Sequence, residues 1–216
     1  MAEKKDLSAL YEFDEAVGNE FPGGLICGTD EAGRGPLAGP VVAAAVILPK
    51  DYENEMINDS KKLTDKKRRE LFEEIQKNAI AFGIGIVSPE EIDNINIYQA
   101  SRLAMNIAIK NMSHKFDMIL TDYMPLFGYE CEVEPIAKGD AKAMCIAAAS
   151  IIAKVTRDNL MIELDKLYPQ YGFKNHMGYG TREHLDALEV YGPIKGVHRF
   201  SYAPVLKKDS KQLTLF

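Results

Sequence analysis

The feature of this 216-residue chain that most constrains its fold is an apolar run that stops at two carboxylates. Leu-Ile-Cys at 25–27 is followed by Gly-Thr, then by Asp30 and Glu31, and then by Gly-Arg-Gly at 33–35. This order predicts a short strand over 25–29 that leads into a glycine-rich turn. Two interpretations remain open. The turn is an exposed acidic loop, or its carboxylates bind Mg²⁺ or Mn²⁺ while the arginine fork binds a phosphate.

The rest of the chain alternates apolar runs with helical patterns. Strands are predicted at 41–48, 80–87 and 118–121, and helices at 64–78, 97–111, 141–167 and 183–190. Early strands followed by alternating helices and strands predict an α/β fold, with a mixed sheet and helices packed on it. Pro, Gly, Tyr and Asn cluster at 168–181. We therefore expect a core over 20–167, a small helical and loop region over 168–206, and a flexible tail over 207–216.

Composition excludes several classes of protein. The three cysteines are odd in number and include no Cys-x-x-Cys, which argues against a disulfide scaffold or a cysteine zinc site and fits a reducing compartment. The polar N-terminus does not resemble a secretory signal, and the longest apolar runs are too short to span a bilayer. A cytoplasmic protein is expected. Nothing in the sequence requires an oligomer, so we expect a monomer.

Charge is unevenly distributed along the chain. The net charge is −6, yet residues 1–141 carry 15 Lys and Arg against 25 Asp and Glu, whereas residues 142–216 carry 11 against 7. Basic clusters occur at 61–69 and at Lys195, Arg199, Lys207 and Lys208. Each cluster is either a solvated surface or a contact for nucleic-acid phosphates.

Two further acidic residues extend the pattern. Asp122 directly follows the apolar run 118–121, and Asp140 opens the long alanine-rich pattern. Taken singly, Asp122 fits an Asx turn and Asp140 fits a helix N-cap. Together with Asp30 and Glu31 they could hold two divalent cations about 4 Å apart, an arrangement suited to phosphoryl transfer. Adjacent strand residues point to opposite faces, so the first pair can share such a site only if the strand ends or bulges there.

In these and other segments the chain resembles the type 2 ribonucleases H (the ribonuclease HII family). The resemblance is carried by Asp-Glu-Ala-Gly-Arg-Gly at 30–35, Asp-Ser-Lys-Lys-Leu at 59–63, Lys-Gly-Asp at 138–140, Ala-Ala-Ser-Ile-Ile-Ala-Lys-Val-Thr-Arg-Asp at 148–158, His-Met-Gly-Tyr-Gly-Thr-Arg-Glu-His at 176–184, Gly-Pro at 192–193 and His-Arg at 198–199. It implies an RNase H-like core with a small C-terminal helical region. It also implies Mg²⁺- or Mn²⁺-dependent hydrolysis of RNA in RNA–DNA hybrids. The same family incises duplex DNA at embedded ribonucleotides, leaving a 3′-hydroxyl and a 5′-phosphate. Met177 departs from the pattern, because a lysine is expected after His176.

The resemblance also assigns roles to individual residues. Asp30, Glu31, Asp122 and Asp140 resemble the family's catalytic, metal-binding set. The residues that resemble its substrate contacts are Gly33, Arg34 and Gly35, which would read the 2′-hydroxyl, Tyr179, which would stack on the sugar at the RNA–DNA junction, and Lys61, Ser150 and Lys154, which would bind phosphates. From the residues alone, Tyr179 could equally anchor a loop on the core, and the stripe at 150, 154 and 157/158 could be a solvated helix face. No pair of histidines has metal-ligand spacing, His114 is expected in a surface turn, and none is assigned to catalysis.

The last five residues, Gln-Leu-Thr-Leu-Phe, follow a polar, charged stretch. They resemble the motif by which bacterial replication and repair proteins dock on the DNA sliding clamp, with Gln212, Leu213, Leu215 and Phe216 as the contacts. Because no second aromatic residue follows, the motif favours a bacterial clamp over the archaeal and eukaryotic kind. The open alternative is a tail that folds back on the domain.

Two alternative functions remain open at this stage. One is a catalytically inactive nucleic-acid-binding module of the same fold, which the intact set of four acids argues against. The other is a carboxylate-dependent phosphatase for small phosphoesters, which leaves both basic clusters unexplained and lacks a signal for a phospho-enzyme nucleophile.

Overall fold

The computed structural model describes residues 24–206 apart from 53, 55 and 58–62. The strands in chain order are β1 (Ile26–Ala32), β2 (Val41–Ile47), β3 (Ala81–Val87), β4 (Met118–Asp122) and β5 (Glu132–Ile136). The helices are α1 (Asp65–Asn78), α2 (Pro89–Ile95), α3 (Ile97–Met112), α4 (Met144–Leu167), α5 (Phe173–His176) and α6 (Arg182–Tyr191), with 3₁₀ turns at Gly139–Ala141 and Pro169–Tyr171. Lys61 and the clamp-like residues Gln212, Leu213, Leu215 and Phe216 lie outside the described residues.

The five strands form one mixed sheet in the order β3-β2-β1-β4-β5. β1 pairs antiparallel with β2, and β2 pairs antiparallel with β3. On its other side, β1 pairs parallel with β4, which in turn pairs parallel with β5. The predicted α/β fold with a mixed sheet and flanking helices is confirmed.

β2 lies in the middle of the core, which explains its unbroken apolar sequence. All seven of its residues are buried. Successive side chains of a strand point to opposite faces, so Ala43 and Ala45 pack in the cluster that contains α3, whereas Ala44 and Val46 pack in the cluster that contains α4. A strand covered on both faces needs apolar residues at every position rather than at alternate ones.

Glycines bring both large helices close to the sheet. A β-carbon at Gly28 of β1 would clash with the α4 backbone at Cys145. One at Gly83 or Gly85 of β3 would clash with carbonyl oxygens of α3. Replacing any of these glycines would push a helix off the sheet, and Gly28 fixes which face of β1 is turned toward α4.

Two boundaries differ by more than one residue from those predicted, and one strand was missed. β1 continues three residues beyond the expected end, because Asp30, Glu31 and Ala32 remain paired with β2. The long helix begins at Met144 rather than 141, since a separate 3₁₀ turn precedes it. β5 was not predicted: its sequence, Glu-Val-Glu-Pro-Ile, is polar and contains a proline, which is tolerated because β5 is an edge strand.

The residues after α4 pack around a core cluster of their own. Tyr171, Phe173 and Leu188 are buried there together with Met161 of α4 and Leu37 of the loop after β1. This cluster joins the C-terminal region to the glycine-rich loop. None of the helices in the described part of the chain is long and apolar enough to cross a membrane.

Candidate active site

Two of the predicted acids lie side by side where the parallel pairing of β1 with β4 ends. β1 and β4 are in register through the pair Thr29 and Thr121, and Asp30 and Asp122 are the next residues of each strand. Carboxyl ends of parallel strands meet at one edge of a sheet, which is where such folds place ligands. The parallel pairing therefore brings together residues that are 92 positions apart in sequence.

Asp30 faces helix α4. Gly28 faces that helix, and Asp30 is two residues further along the same strand. Its carboxylate accepts hydrogen bonds from the amide of Glu31, at 2.7 Å, and from the side chain of Ser150. Burial, with the adjacent charges of Glu31 and Asp122, raises the pKa of Asp30 well above its usual value. The site thus concentrates negative charge in a place shielded from water.

Glu31 joins the acids to the glycine-rich loop. Its Oε1 pairs with Arg34 Nη1 at 3.2 Å, and its side chain is only 7% exposed. Burial raises the pKa of Glu31, Arg34 lowers it, and Asp122 raises it again. β1 neither ends nor bulges at Glu31, yet Asp122 affects the pKa of both Asp30 and Glu31. Both carboxylates therefore belong to one electrostatic group.

Asp140 lies near the same edge of the sheet because the preceding residue, Gly139, is hydrogen-bonded to Asp122. The amide of Gly139 donates to Asp122 Oδ1 at 2.8 Å, and a β-carbon at Gly139 would lie 3.5 Å from Asp122 Cα. Asp140 is 5% exposed and lies in the 3₁₀ turn, so the interpretation of this residue as the N-cap of the long helix is wrong. The N-cap of α4 is Ala143.

The donor set fits a hard divalent cation. Carboxylate oxygens are the ligands that Mg²⁺ and Mn²⁺ prefer. Glu31 Oε2 is buried and has no hydrogen-bond partner among the described residues. Within the same part of the chain, no three Asp, Glu, His or Cys side chains are grouped closely enough to form a finished metal centre. The acids therefore lie at one edge of the sheet, and Glu31 Oε2 could bind a cation there. Binding of a cation would require the carboxylates to move closer together.

A cleft of about 420 Å³ opens beside Glu31. Six of the residues predicted to bind substrate line it, and they come from three separate parts of the chain. These residues are Gly33, Arg34, Gly35, Ser150, Lys154 and Tyr179. Arg68 of α1 and Arg157 of α4 line it as well; Arg68 comes from the basic cluster at 61–69, one interpretation of which is a phosphate contact, and Arg157 was not predicted as a substrate contact. The cleft is therefore basic in a protein whose net charge is −6.

Two of the polar positions on α4 are buried, in contrast to the interpretation of this stripe as a solvated helix face, whereas Ser150 and Lys154 are partly exposed. Arg157 is 1% exposed and Asp158 is 4% exposed. Lys154 Nζ bonds Asp158 Oδ1 at 2.7 Å, which fixes the ammonium beside the cleft. Arg157 donates to the carbonyl oxygens of Pro40, Met177 and Ala38 at 3.0, 3.0 and 3.1 Å, and burial lowers its pKa to about 10.

Arg199 is not available to bind a phosphate, in contrast to the sequence-based interpretation. It is fully buried, and its guanidinium donates to the carbonyl oxygens of Gly33, Arg34 and Gly39 at 2.6, 2.9 and 2.9 Å. Tyr202 Oη also donates to the Arg34 carbonyl, at 2.6 Å. The glycine-rich loop thus rests on a buried cation. Only the three-dimensional structure shows this role, because the partners are 160 or more residues apart in sequence.

Tyr179 stands at the rim of the cleft opposite Gly35. Its side chain ring lies 3.6 Å from where a β-carbon of Gly35 would be, and the residue is 47% exposed. A tyrosine that served only as a core anchor would be buried. The ring is therefore presented to the cleft.

Comparison with known proteins agrees with this geometry. The ribonuclease HII family model matches residues 27–205. Ribonuclease HII of Acholeplasma laidlawii is 56% identical over 182 residues, which cover 84% of this chain and 89% of that protein. Ribonuclease H2 from Pyrococcus horikoshii superposes with a TM-score of 0.74 at 26% identity, covering 87% of this chain and 98% of that one.

A second solved structure is that of the PCNA:RNase HII complex from Archaeoglobus fulgidus. It superposes with a TM-score of 0.69 at 28% identity and covers 82% of this chain and 95% of that one. The family model spans nearly all of the described residues, including the acids, the glycine-rich loop and Tyr179. The chain therefore belongs to the ribonuclease HII family and is an endoribonuclease of the ribonuclease H type.

Proposed function

We propose that the protein hydrolyses RNA in RNA–DNA hybrids and incises duplex DNA at single embedded ribonucleotides. It uses Mg²⁺ or Mn²⁺ and leaves a 3′-hydroxyl and a 5′-phosphate. The observation that carries this proposal is the ion pair between Glu31 and Arg34, at 3.2 Å, because it joins the acidic group to the loop suited to reading the sugar.

The acids have the chemistry needed to hold the cofactor. Asp30, Glu31, Asp122 and Asp140 would bind two divalent cations, which supply charge to activate a water molecule and to stabilise the leaving 3′-oxygen. Ser150 orients Asp30 and the Gly139 amide orients Asp122, so two of the carboxylates are positioned before any cofactor arrives. Such preorganisation of ligands supports metal affinity.

The glycine-rich loop has the geometry needed to recognise a ribonucleotide. The 2′-hydroxyl is the group that separates RNA from DNA, and backbone groups at Gly33 and Gly35 can approach it without a side chain in the way. Arg199 holds the Gly33 carbonyl of this loop, and Arg157 holds the Pro40 carbonyl, further along the connection to β2. Tyr179 would stack on the sugar across the cleft, while Lys154 and Arg68 would contact phosphates.

The alternatives account for fewer of these observations. A binding module without catalysis has no use for carboxylates whose burial, together with their mutual repulsion, raises the pKa of Asp30. A phosphatase for small esters leaves the basic lining of the cleft unexplained.

The proposal is tested with a labelled DNA duplex that carries one ribonucleotide. Incubation with Mg²⁺ should give a single cut at the ribonucleotide, with a 3′-hydroxyl and a 5′-phosphate. The same duplex with EDTA, and an all-DNA duplex with Mg²⁺, should remain intact. Cleavage of the all-DNA duplex, or products with a 3′-phosphate, would contradict the proposal.

A sliding clamp is the partner that we propose for the tail. The support is the Gln-Leu-Thr-Leu-Phe sequence at 212–216, and the existence of a PCNA complex for the Archaeoglobus fulgidus relative. Docking would raise the local concentration of the enzyme on newly made DNA. In a calorimetric titration, a bacterial clamp should bind the intact chain and not a chain truncated after Lys211. Equal binding by both chains, or by neither, would refute this, and the truncation should leave cleavage of short duplexes unchanged.

A further inference from the structure

Three histidines that the proposed chemistry does not use form a buried cluster behind the cleft. His176, His184 and His198 are 7%, 0% and 1% exposed. The rings of His176 and His184 stack with centroids 4.6 Å apart, and His184 Nε2 lies 3.2 Å from His198 Nε2. The sequence positions give no sign of this cluster, because the packing of α5, α6 and the segment after α6 brings the rings together.

Hydrogen bonds fix the positions of the ring protons on His198 and His184. The amide of Ile194 donates to His198 Nδ1 at 2.9 Å, so the proton of a neutral His198 is on Nε2. His198 Nε2 then donates to His184 Nε2, which leaves the His184 proton on Nδ1. His184 Nδ1 lies 2.9 Å from the carbonyl oxygen of Tyr179 and donates to it. A single directed chain therefore runs from the Ile194 amide to the backbone of Tyr179.

We propose that His184 and His198 are positioning residues for Tyr179: their chain of hydrogen bonds holds the Tyr179 backbone so that its ring faces the ribonucleotide. This inference rests on the proposed function, since it gives Tyr179 its task at the sugar. The two histidines touch no reacting group.

The neighbouring contacts support this assignment. His176 Nδ1 accepts from the amide of Gly178, and the His176 carbonyl accepts from the amide of Tyr179 at 2.9 Å. Gly178 has φ +81°, and a β-carbon there would lie 2.5 Å from the Ala38 carbonyl oxygen. Successive residues of the loop are thus held from several sides. The Tyr179 carbonyl accepts from the amide of Thr181 at 2.8 Å and from His184 Nδ1, which is the side-chain contact that ties it to the histidines.

Burial keeps the two hydrogen-bonded histidines in their neutral form. It lowers the pKa of His184 to about 4 and that of His198 to about 3. Phe173 meets the His184 ring edge-on at 5.5 Å and excludes water from it. Both rings are therefore neutral at pH 7, as the directed chain requires.

The first test needs no substrate. Long-range ¹H–¹⁵N correlation spectra of the whole protein at pH 7 report which ring nitrogen of each histidine carries the proton. The proposal expects the proton on Nδ1 of His184 and on Nε2 of His198. The reverse tautomers, or a charged ring, would overturn it whether or not the protein cleaves ribonucleotides.

The second test uses two substitutions of His184 that each keep one of its two ring hydrogen bonds. His184→Asn places an amide nitrogen where Nδ1 was. It keeps the hydrogen bond to the Tyr179 carbonyl but loses the hydrogen bond with His198. His184→Gln reaches toward His198 and can keep that hydrogen bond, but it loses the hydrogen bond to the Tyr179 carbonyl. His184→Gln should lower kcat/KM on the single-ribonucleotide duplex about fivefold, as for one lost hydrogen bond. His184→Asn keeps the bond to Tyr179 but loses its support from His198, so it should show a smaller loss, of about twofold.

Measurements of stability separate positioning from packing. Asn fills less of the buried site than Gln, so His184→Asn should be the less stable variant in urea unfolding while remaining the more active one. If activity instead follows stability in the two variants, the role of His184 is structural and the proposal fails.

A double-mutant cycle gives the final check. In a Tyr179→Ala background, His184→Gln should have no further effect on kcat/KM, because the residue it positions has lost its ring. Additive losses would overturn the proposal. Affinity for an all-DNA duplex should be the same for the parent and for His184→Gln, since the phosphate contacts of the cleft are untouched.

Discussion

Arg34 Nη1 lies 3.2 Å from Glu31 Oε1, so the arginine of the glycine-rich loop is paired with a carboxylate of the acidic group. The Glu31 side chain is 7% exposed and the Arg34 side chain is 49% exposed. A cation bound at the acids and the arginine therefore compete for the same carboxylate. Substrate phosphate offers Arg34 another partner, so binding of metal and substrate should support each other.

Arg34→Ala should separate these two effects. Removing the arginine charge should raise the affinity for Mn²⁺ in the absence of nucleic acid by about two- to fivefold, as for a partly exposed ion pair. The same change should lower kcat/KM on a ribonucleotide duplex, because a substrate contact is lost. Calorimetric titration and initial-rate kinetics measure the two quantities. Arg182→Ala, which removes an exposed arginine paired with Asp186, is the control and should change neither.

Asp30→Asn should stabilise the metal-free protein at pH 7. Burial and the charges of Glu31 and Asp122 raise the pKa of Asp30, so its ionised form opposes folding, while an asparagine can still accept the hydrogen bond from the Glu31 amide. We expect a gain of about 1 kcal/mol in the free energy of unfolding, measured in urea with EDTA. The gain should fade as the pH falls, because the aspartate of the parent then becomes protonated. A loss of stability at pH 7 would show that the acids do not repel each other.

Arg199→Met should destabilise the fold. It removes the donor to the buried carbonyl oxygens of Gly33, Arg34 and Gly39, and we expect a loss of about 3 kcal/mol or more. Urea unfolding measures the change. Lys195→Met is the matched control, since Lys195 comes from the same predicted basic cluster but is exposed, and it should shift stability by less than about 0.5 kcal/mol. Equal effects of the two substitutions would contradict the role given to Arg199.

The histidine cluster should make stability fall as the pH falls from about 6.5 toward 4. Burial lowers the pKa of His184 to about 4 and that of His198 to about 3, so in this range the unfolded chain binds protons that the folded chain does not. The slope contributed by each histidine is at most about 1.4 kcal/mol per pH unit. Asp30 and Glu31, with raised pKa values, act in the opposite direction. Comparing urea unfolding of the parent with that of His198→Asn cancels the contribution of Asp30 and Glu31, which both proteins share. The free energy of unfolding of the variant should fall less steeply as the pH falls. Parallel curves would contradict the buried, neutral assignment.

Local pattern predicted most of the sheet and the long helices. The apolar sequence of β2 and the glycine alternation of β3 are strong signals, because packing against α3 and α4 demands them. β5 gave no such signal, since an edge strand with Glu and Pro has the composition of a loop. The expected division of the chain into core, small region and tail stays a prediction.

The site was predictable only where a residue's role follows from its type. Carboxylates after a strand and an arginine between glycines point to cation and phosphate binding, and the structure gathers Glu31, Arg34 and Lys154 at one cleft. The roles of buried polar residues could not be predicted from the residue type. An arginine such as Arg199 resembles a phosphate contact in sequence, and only long-range packing shows that it holds backbone carbonyls instead.

Cleavage by Asp30→Asn tests the central claim most directly. The measurement is the initial rate of cutting a DNA duplex that carries one ribonucleotide, in saturating Mg²⁺, for the parent and for this variant. The account predicts that the parent cuts at the ribonucleotide and that Asp30→Asn does not cut, although it folds at least as stably. Full activity in Asp30→Asn would contradict the assignment of Asp30, Glu31, Asp122 and Asp140 as the metal-binding, catalytic group.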